Sequence, residues 1–427
     1  MATFLRRFKS RLIGFSTASS KDNVATTGLV RKLGATLDKT SKQLEKGFMK
    51  RPDTNIALYL PNLDGGGAER MMVNLASGFA KRGLNTDLVL AEARGPYLEQ
   101  VAPEVNVVDL KSSGVAASLP RLVRYLRQHQ PKALLATLNH ASVVALLGCR
   151  LARVRTRIVI RESNMLFPYR TAALRQRSLK AAVKLFYPLA NAHVAVSQGV
   201  ADDLQDFVKL DPKSVHTIYN PVVTSSLLKR ARLAPEHPWL NENAGRSTAR
   251  PPVLLGVGRL AGQKDFGTLI RAFAGVHRVQ AARLIILGEG AQRANLEALA
   301  AELGVAEDVS LPGFADNPFA FMARADLFVL SSRFEGLPGA LIQAMACGCK
   351  VVSTNCPSGP AEILKGGQLA PLVPVGDVEA LTQAILATLN EPTPRPELRN
   401  RAFEFSEETI IPQYLKVLLP DWQGADA

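Results

Sequence analysis

The sequence predicts an α/β protein: two doubly wound, Rossmann-like domains behind a basic helical extension. Three observations predict it. The chain has 427 residues, 47% of them apolar, which is enough for two separate cores. Short apolar runs recur, each followed by a glycine-bearing loop and a helical pattern, as in buried parallel strands of βα units. The series breaks over residues 233–252, where Pro235, Pro238, Pro251 and Pro252 stand among polar residues as a linker, and then resumes. The boundaries drawn from this are an extension over 1–51, a first domain over 52–238 and a second over 239–403.

The extension carries twelve Lys and Arg against three acids, so it supplies nine of the fifteen net positive charges of the chain. Phe4, Leu5, Phe8, Leu12 and Phe15 recur at near-helical spacing among Arg6, Arg7, Lys9 and Arg11. Such a helix can lie in the headgroup layer of an anionic leaflet. A solvated tail and an acid-free targeting peptide are the other readings of the same residues. No run of 18 apolar residues occurs, so no spanning helix is expected. The charge favours an anionic partner, but no reading motif supports nucleic acid. Cys149, Cys347, Cys349 and Cys356 lack zinc-site spacing and read as reduced thiols.

In the first domain, residues 55–60 read as the opening strand. It enters Asp64-Gly65-Gly66-Gly67 and a helix with Met71, Met72, Leu75 and Phe79 on one face. Glycines in such a turn let a phosphate or substrate come close to the backbone, although many Rossmann-type domains carry a similar run. Residues 88–90, 133–136, 157–160 and 193–196 read as further strands. Ligands collect at the carboxyl ends of parallel strands. Asn139 and His140, Arg161 to Asn164, and Ser197 are therefore candidates. His140 is either a site residue or a helix-start residue; Arg161 and Glu162 either bind an acceptor or pair with each other. Arg170, Arg175, Arg177, Lys180 and Lys184, interleaved with Leu174, Leu179, Val183 and Phe186, mark a second basic helix over 170–184. It reads as a solvated face or a membrane-facing patch.

The second domain opens with a strand over 253–258, followed by Arg259, Lys264 and a helix from Phe266. Two cations after a glycine-bearing strand end can clamp a diphosphate. Residues 284–287 and 309–314 read as strands, and Asp377 as the cap of a helix over 378–386. The densest stretch is 331–362. The apolar run 327–330 feeds a loop with Glu335 and Gly336, Pro338 suits a first helical position, and the helix passes Gln343 to stop at Gly348. A helix mouth behind glycines is an anion site. The arrangement reads as a phosphate at the mouth with Glu335 and Gln343 to either side, or as a strand–loop–helix with no ligand.

This stretch resembles the signature of glycosyltransferase family 4, retaining enzymes of the GT-B fold. In that family an acid in the loop and a second acid eight residues later bracket a nucleotide-sugar. Glu335 matches the first; Gln343 departs from the second. Gly258-Arg259 with Lys264-Asp265-Phe266 resembles the family's diphosphate motif, and Gly65–Gly67 its first loop. The resemblance spans about residues 55–415. It implies two domains facing across a cleft, with residues 404–420 crossing back to the first. It implies Glu335, His140, Arg259 and Lys264 as the catalytic set. Gly258, Phe314, Gly336, Leu337, Pro338, Gly339, Ala340, Leu341 and Gln343 would bind the donor. Gly65, Gly66, Gly67, Arg161 and Glu162 would form the acceptor and phosphate loops.

The function so implied is transfer of a hexose or N-acetylhexosamine, with retention, from a nucleotide diphosphate sugar to a lipid-linked or polysaccharide acceptor. Uridine diphosphate is the family-weighted nucleotide. No Asp-x-Asp pair occurs, so neither a metal nor another cofactor is expected. The expected location is cytoplasmic, at the inner face of the membrane, held by 1–51 and the 170–184 helix. Two rivals stand: a nucleotide-sugar epimerase of similar shape, and a non-catalytic relative that binds nucleotide or membrane.

Overall fold

The computed structural model describes residues 55–166, 174–240, 250–391 and 396–422. The extension over 1–51 and its expected amphipathic helix lie outside these residues. Within them the chain forms two all-parallel sheets.

The first sheet has seven strands: β1 (Ile56–Leu60), β2 (Thr86–Leu90), β3 (Asn106–Asp109), β4 (Ala133–Thr137), β5 (Arg157–Glu162), β6 (Ala192–Ala195) and β7 (Val215–Thr217). Their order is β3-β2-β1-β4-β5-β6-β7. The second has six: β8 (Val253–Val257), β9 (Arg283–Leu287), β10 (Val309–Gly313), β11 (Leu327–Leu330), β12 (Lys350–Thr354) and β13 (Leu372–Val373), in the order β10-β9-β8-β11-β12-β13. Central strands are apolar throughout because helices cover both faces; every residue of β1, β4 and β11 is buried.

Strand order reverses between β1 and β4 in one lobe and between β8 and β11 in the other. A crevice opens at such a switch point, beyond the carboxyl ends of the strands. The loops that leave these four strands therefore hold the positions where chemistry is possible.

The chain passes to the second lobe earlier than its prolines suggest. Helix Ser225–Ala231 already packs on helix Pro318–Met322, and Arg324 Nη1 donates to the Leu233 carbonyl at 2.7 Å. Pro235 is buried and Pro238 exposed, and His237 between them lies 3.1 Å from Ser310 Oγ of the second lobe, so the crossing falls at 220–223 rather than at 238. The return crossing lies beside it: Val222 N donates to the Phe405 carbonyl at 2.9 Å, and Glu407 N to the Val223 carbonyl at 3.1 Å.

Helix Glu407–Leu418 then joins the first lobe, as expected of 404–420. Ile410, Ile411, Tyr414, Leu415 and Leu418 are buried in the core with Leu58, Met72 and Leu88. Gly78 lets it come close, since a Cβ there would meet Ile411 Cδ1 at 2.5 Å. Ser406 caps the helix by accepting from Thr409 N, and Asp377 caps Val378–Leu389 through Ala380 N at 2.9 Å. All four cysteines are free thiols.

Candidate active site

The loops that leave β8 and β11 of the second lobe converge. Gly258 ends β8, and Lys264 lies across it: a Cβ on Gly258 would stand 3.0 Å from Lys264 Cε. The ammonium so placed reaches Glu335, after β11, with Nζ 2.6 Å from Oε1. Ser332 Oγ donates to the same oxygen at 2.6 Å, and the Glu335 amide is held by the Pro357 carbonyl at 2.9 Å. Glu335 is 7% exposed, so cation and hydroxyl fix a carboxylate that has little access to water. Arg259 is exposed on the same loop as Lys264. The sequence placed Arg259, Lys264 and Glu335 together; Ser332 was missed, although it stands three residues before the acid.

Helix Gly339–Ala346 follows. Pro338 is its N-cap, with ψ 93°, rather than its first helical residue. Its ring is wedged against Gly359, where a Cβ would meet Pro338 Cδ at 2.7 Å. The first amides, of Gly339 and Ala340, face the mouth by helix geometry. The Leu341 amide is bonded to the Pro338 carbonyl at 3.1 Å, and its side chain is fully buried. Leu341 is therefore a core residue and not a donor contact. The Leu337 side chain is buried in the same core, which leaves only its backbone for a ligand. Gln343 is half-buried one turn along, and Phe314 is 52% exposed after β10.

In the first lobe the glycine run leaves β1. Gly65 has φ +99°, Gly66 is the N-cap and Gly67 the first residue of helix Gly67–Ala80. Tyr97 Oη donates to the Gly65 carbonyl at 3.0 Å. A Cβ on Gly67 would meet nothing within 4 Å, whereas one on Gly66 would meet Glu69 Oε2 at 2.2 Å, so the turn is open at Gly67. Asn139 and His140 start the helix after β4, and His140 is exposed.

Arg161 and Glu162 correct the expectation. Consecutive in β5, they point to opposite faces and pair neither with each other nor with solvent. Arg161 is fully buried: its guanidinium donates to Tyr414 Oη at 3.2 Å, Thr137 Oγ1 at 3.2 Å and Asn220 Oδ1 at 2.5 Å. It fastens the returning helix to the sheet. Glu162, 3% exposed, accepts from Tyr187 Oη at 2.5 Å and Asn139 Nδ2 at 3.4 Å. Burial pushes its carboxyl up to about 7, against the pull of Tyr187 and Arg161.

The lobes touch where β5 ends. A Cβ on Gly336 would stand 2.2 Å from the Ser163 carbonyl oxygen. Close by, Glu362 accepts from the Gln198 and Gly199 amides at 2.9 and 3.2 Å, and Ser197 Oγ lies 2.9 Å from Ser358 Oγ. Ser358 and Glu362, at the end of the 331–362 stretch, dock the second lobe on the mouth of helix Gln198–Val208. Among the described residues no cluster of three or more His, Cys, Asp and Glu could hold a metal ion.

Two facing parallel sheets, with convergent polar residues at both switch points, define the GT-B architecture. Models of known families match each lobe in turn: "Glycosyltransferase Family 4" over residues 65–226 and "Glycosyl transferases group 1" over 251–391. The chain belongs to glycosyltransferase family 4, and it is a glycosyltransferase. A Campylobacter jejuni relative, N-acetylgalactosamine-N,N'-diacetylbacillosaminyl-diphospho-undecaprenol 4-alpha-N-acetylgalactosaminyltransferase, is 29% identical over 85% of this chain and 99% of its own. The lipopolysaccharide core biosynthesis glycosyltransferase LpsE of Rhizobium meliloti is 27% identical over 83% of this chain and 96% of its own. Among solved structures, Anabaena Alr3699/HepE in complex with UDP superposes with a TM-score of 0.68 at 21% identity, covering 85% of this chain and 99% of that one.

Proposed function

We propose that the enzyme transfers a hexose or N-acetylhexosamine, with retention, from a uridine diphosphate sugar to a lipid-linked or polysaccharide acceptor in cell-surface glycan synthesis. The observation that carries this is the Lys264–Glu335 pair at 2.6 Å, on the loops that carry Arg259 and lead into helix Gly339–Ala346. A leaving diphosphate gains negative charge in the transition state. Lys264, Arg259 and the amides of Gly339 and Ala340 are the groups that would meet it. Glu335, held by Lys264 and Ser332, would accept from donor-sugar hydroxyls. Gln343 would accept from the ribose through its amide oxygen, more weakly than a carboxylate. No metal is required in this reading.

The acceptor would enter from Gly65–Gly67 and His140. The named relatives, a diphospho-undecaprenol glycosyltransferase and a lipopolysaccharide core enzyme, support an acceptor of that class. So does the charge of the first lobe. Between Asp109 and Asp202 there are fifteen Lys and Arg, and Glu162, which is buried, is the one acid. The helices of this stretch, Leu119–His129, Asn139–Ala152 and Leu174–Phe186, pack side by side. We propose that this face, with the extension over 1–51, rests on the anionic inner surface of the membrane. No helix among the described residues is long and apolar enough to cross it.

Isothermal titration with uridine diphosphate and its sugars, followed by mass spectrometry of products with and without a lipid-linked acceptor, tests the reading. Product only with acceptor is the expected result. Conversion of the donor without acceptor would favour the epimerase, and no nucleotide binding would reject the site.

A further inference from the structure

The turn between β4 and helix Asn139–Ala152 is strained and is held from one side by a buried acid. Leu138 has φ +70° and ψ 122°, a conformation that costs a non-glycine residue about 1–3 kcal/mol and persists only where its surroundings impose it. Two restraints impose it. The Leu138 carbonyl accepts from the Ala141 and Ser142 amides, each at 2.9 Å. On the other side Asn139 Nδ2 lies 3.4 Å from Glu162 Oε2 and 3.4 Å from Tyr187 Oη. Tyr187 Oη in turn donates to Glu162 Oε1 at 2.5 Å. The next residue is His140, exposed at the same sheet edge as Ser163, which lies against Gly336 of the second lobe.

We propose that Glu162 is a positioning residue: through Asn139 its ionised carboxylate locks the Leu138–His140 turn and so sets the aim of His140. The inference rests on the proposed place of His140 beside the acceptor. The carboxylate accepts from both Tyr187 and Asn139, each on its own oxygen. Protonation on Oε2 would turn the Asn139 amide over; protonation on Oε1 would reverse the Tyr187 bond and leave Asn139 a neutral, weaker acceptor. Either way the side-chain restraint on the turn slackens.

Burial holds the Glu162 carboxyl at about 7. The charged groups whose field reaches it are Arg161, on its own strand but on the other face, which favours the ionised form, and Asp203 on helix Gln198–Val208, which opposes it. Tyr187 stays neutral, since burial and Glu162 both raise its phenol. The locked state therefore gains population as pH rises through about 7.

The test uses the full chain, with Glu162→Gln as the principal variant. The amide keeps the shape but cannot ionise. Its kcat for transfer should fall about tenfold near pH 8 and stay within about twofold of the parent near pH 5.5, with a flattened profile and an unchanged donor KM. Equal rates at both pH values overturn the proposal. So does an equal loss at both, which is what a merely structural role would give. Should Glu162→Gln fail to fold, Tyr187→Phe replaces it. Loss of a hydrogen bond to the ionised form should move the profile midpoint upward, and a stationary midpoint overturns the proposal. Absence of transfer with any donor would count against the proposed function alone. The His140 ring signal, assigned with His140→Ala, then decides: its chemical shift near pH 8 should differ between the parent and Glu162→Gln, and identical shifts in both proteins overturn the inference.

Discussion

Gly336→Ala isolates the contact between the lobes. A methyl group there would lie 2.2 Å from the Ser163 carbonyl oxygen and 2.9 Å from Asn164 Cα, both backbone-bound and unable to swing aside. Ordinary carbon–oxygen contact is about 3.3 Å, so one lobe must retreat by about 1 Å. A misplacement of that size costs about 100-fold in rate, or about 2.7 kcal/mol of transition-state stabilisation. Gly336 has no left-handed φ, so alanine adds no backbone strain. The expected result is a kcat/KM down about 100-fold with circular dichroism unchanged. Gly339→Ala is the control. A Cβ there meets nothing nearer than Val222 Cγ2 at 3.9 Å, so the free protein accommodates it. It should weaken uridine diphosphate binding only if a phosphate comes up against that backbone. Parental kcat in Gly336→Ala would refute the claim that the closed approach seen here is the one that reacts.

Lys264→Ala removes both the proposed phosphate contact and the partner of Glu335, and should lower kcat/KM about 100- to 1,000-fold in donor-saturation kinetics, with circular dichroism unchanged. Tyr414→Phe deletes a hydrogen bond to the buried Arg161 guanidinium and should lower stability by about 2 kcal/mol, read from the urea midpoint. His193 is 1% exposed, and burial lowers its imidazole to about 4. The unfolded chain therefore binds this proton first as pH falls, and stability declines from about pH 6.5 to pH 4. The loss reaches about 3 kcal/mol, to be measured as the pH-dependent difference between the parent and His193→Asn.

The central strands were legible because an apolar run between a loop and a helix leaves few alternatives. The edges were not. β3 carries mixed exposure and β7 has three residues, too short for a periodic signal. The proposed donor site could be read because its residues sit in short local motifs: Gly258 to Lys264, and Glu335 to Gln343. Arg161 misled for the opposite reason. A cation at the end of a strand resembles a ligand contact until Tyr414, distant in sequence, is seen to cover it. Prolines placed the crossing at 238, yet the chain had already joined the second lobe, since proline marks a turn and not which core the turn lies on. Leu341 had the same ambiguity: helix spacing puts it near the mouth, and its burial assigns it to the interior.

The return of helix Glu407–Leu418 to the first lobe has a consequence for synthesis. A ribosome completes all seven strands of that sheet long before it reaches this helix. Until then Ile410, Ile411, Tyr414 and Leu415 are missing from the surface they cover, and the Arg161 guanidinium lacks a capping phenol. The nascent first lobe must wait, its apolar flank exposed to chaperones, while the whole second lobe is translated. Fragments that end before residue 407 would inherit that open flank permanently and should be recovered as aggregates.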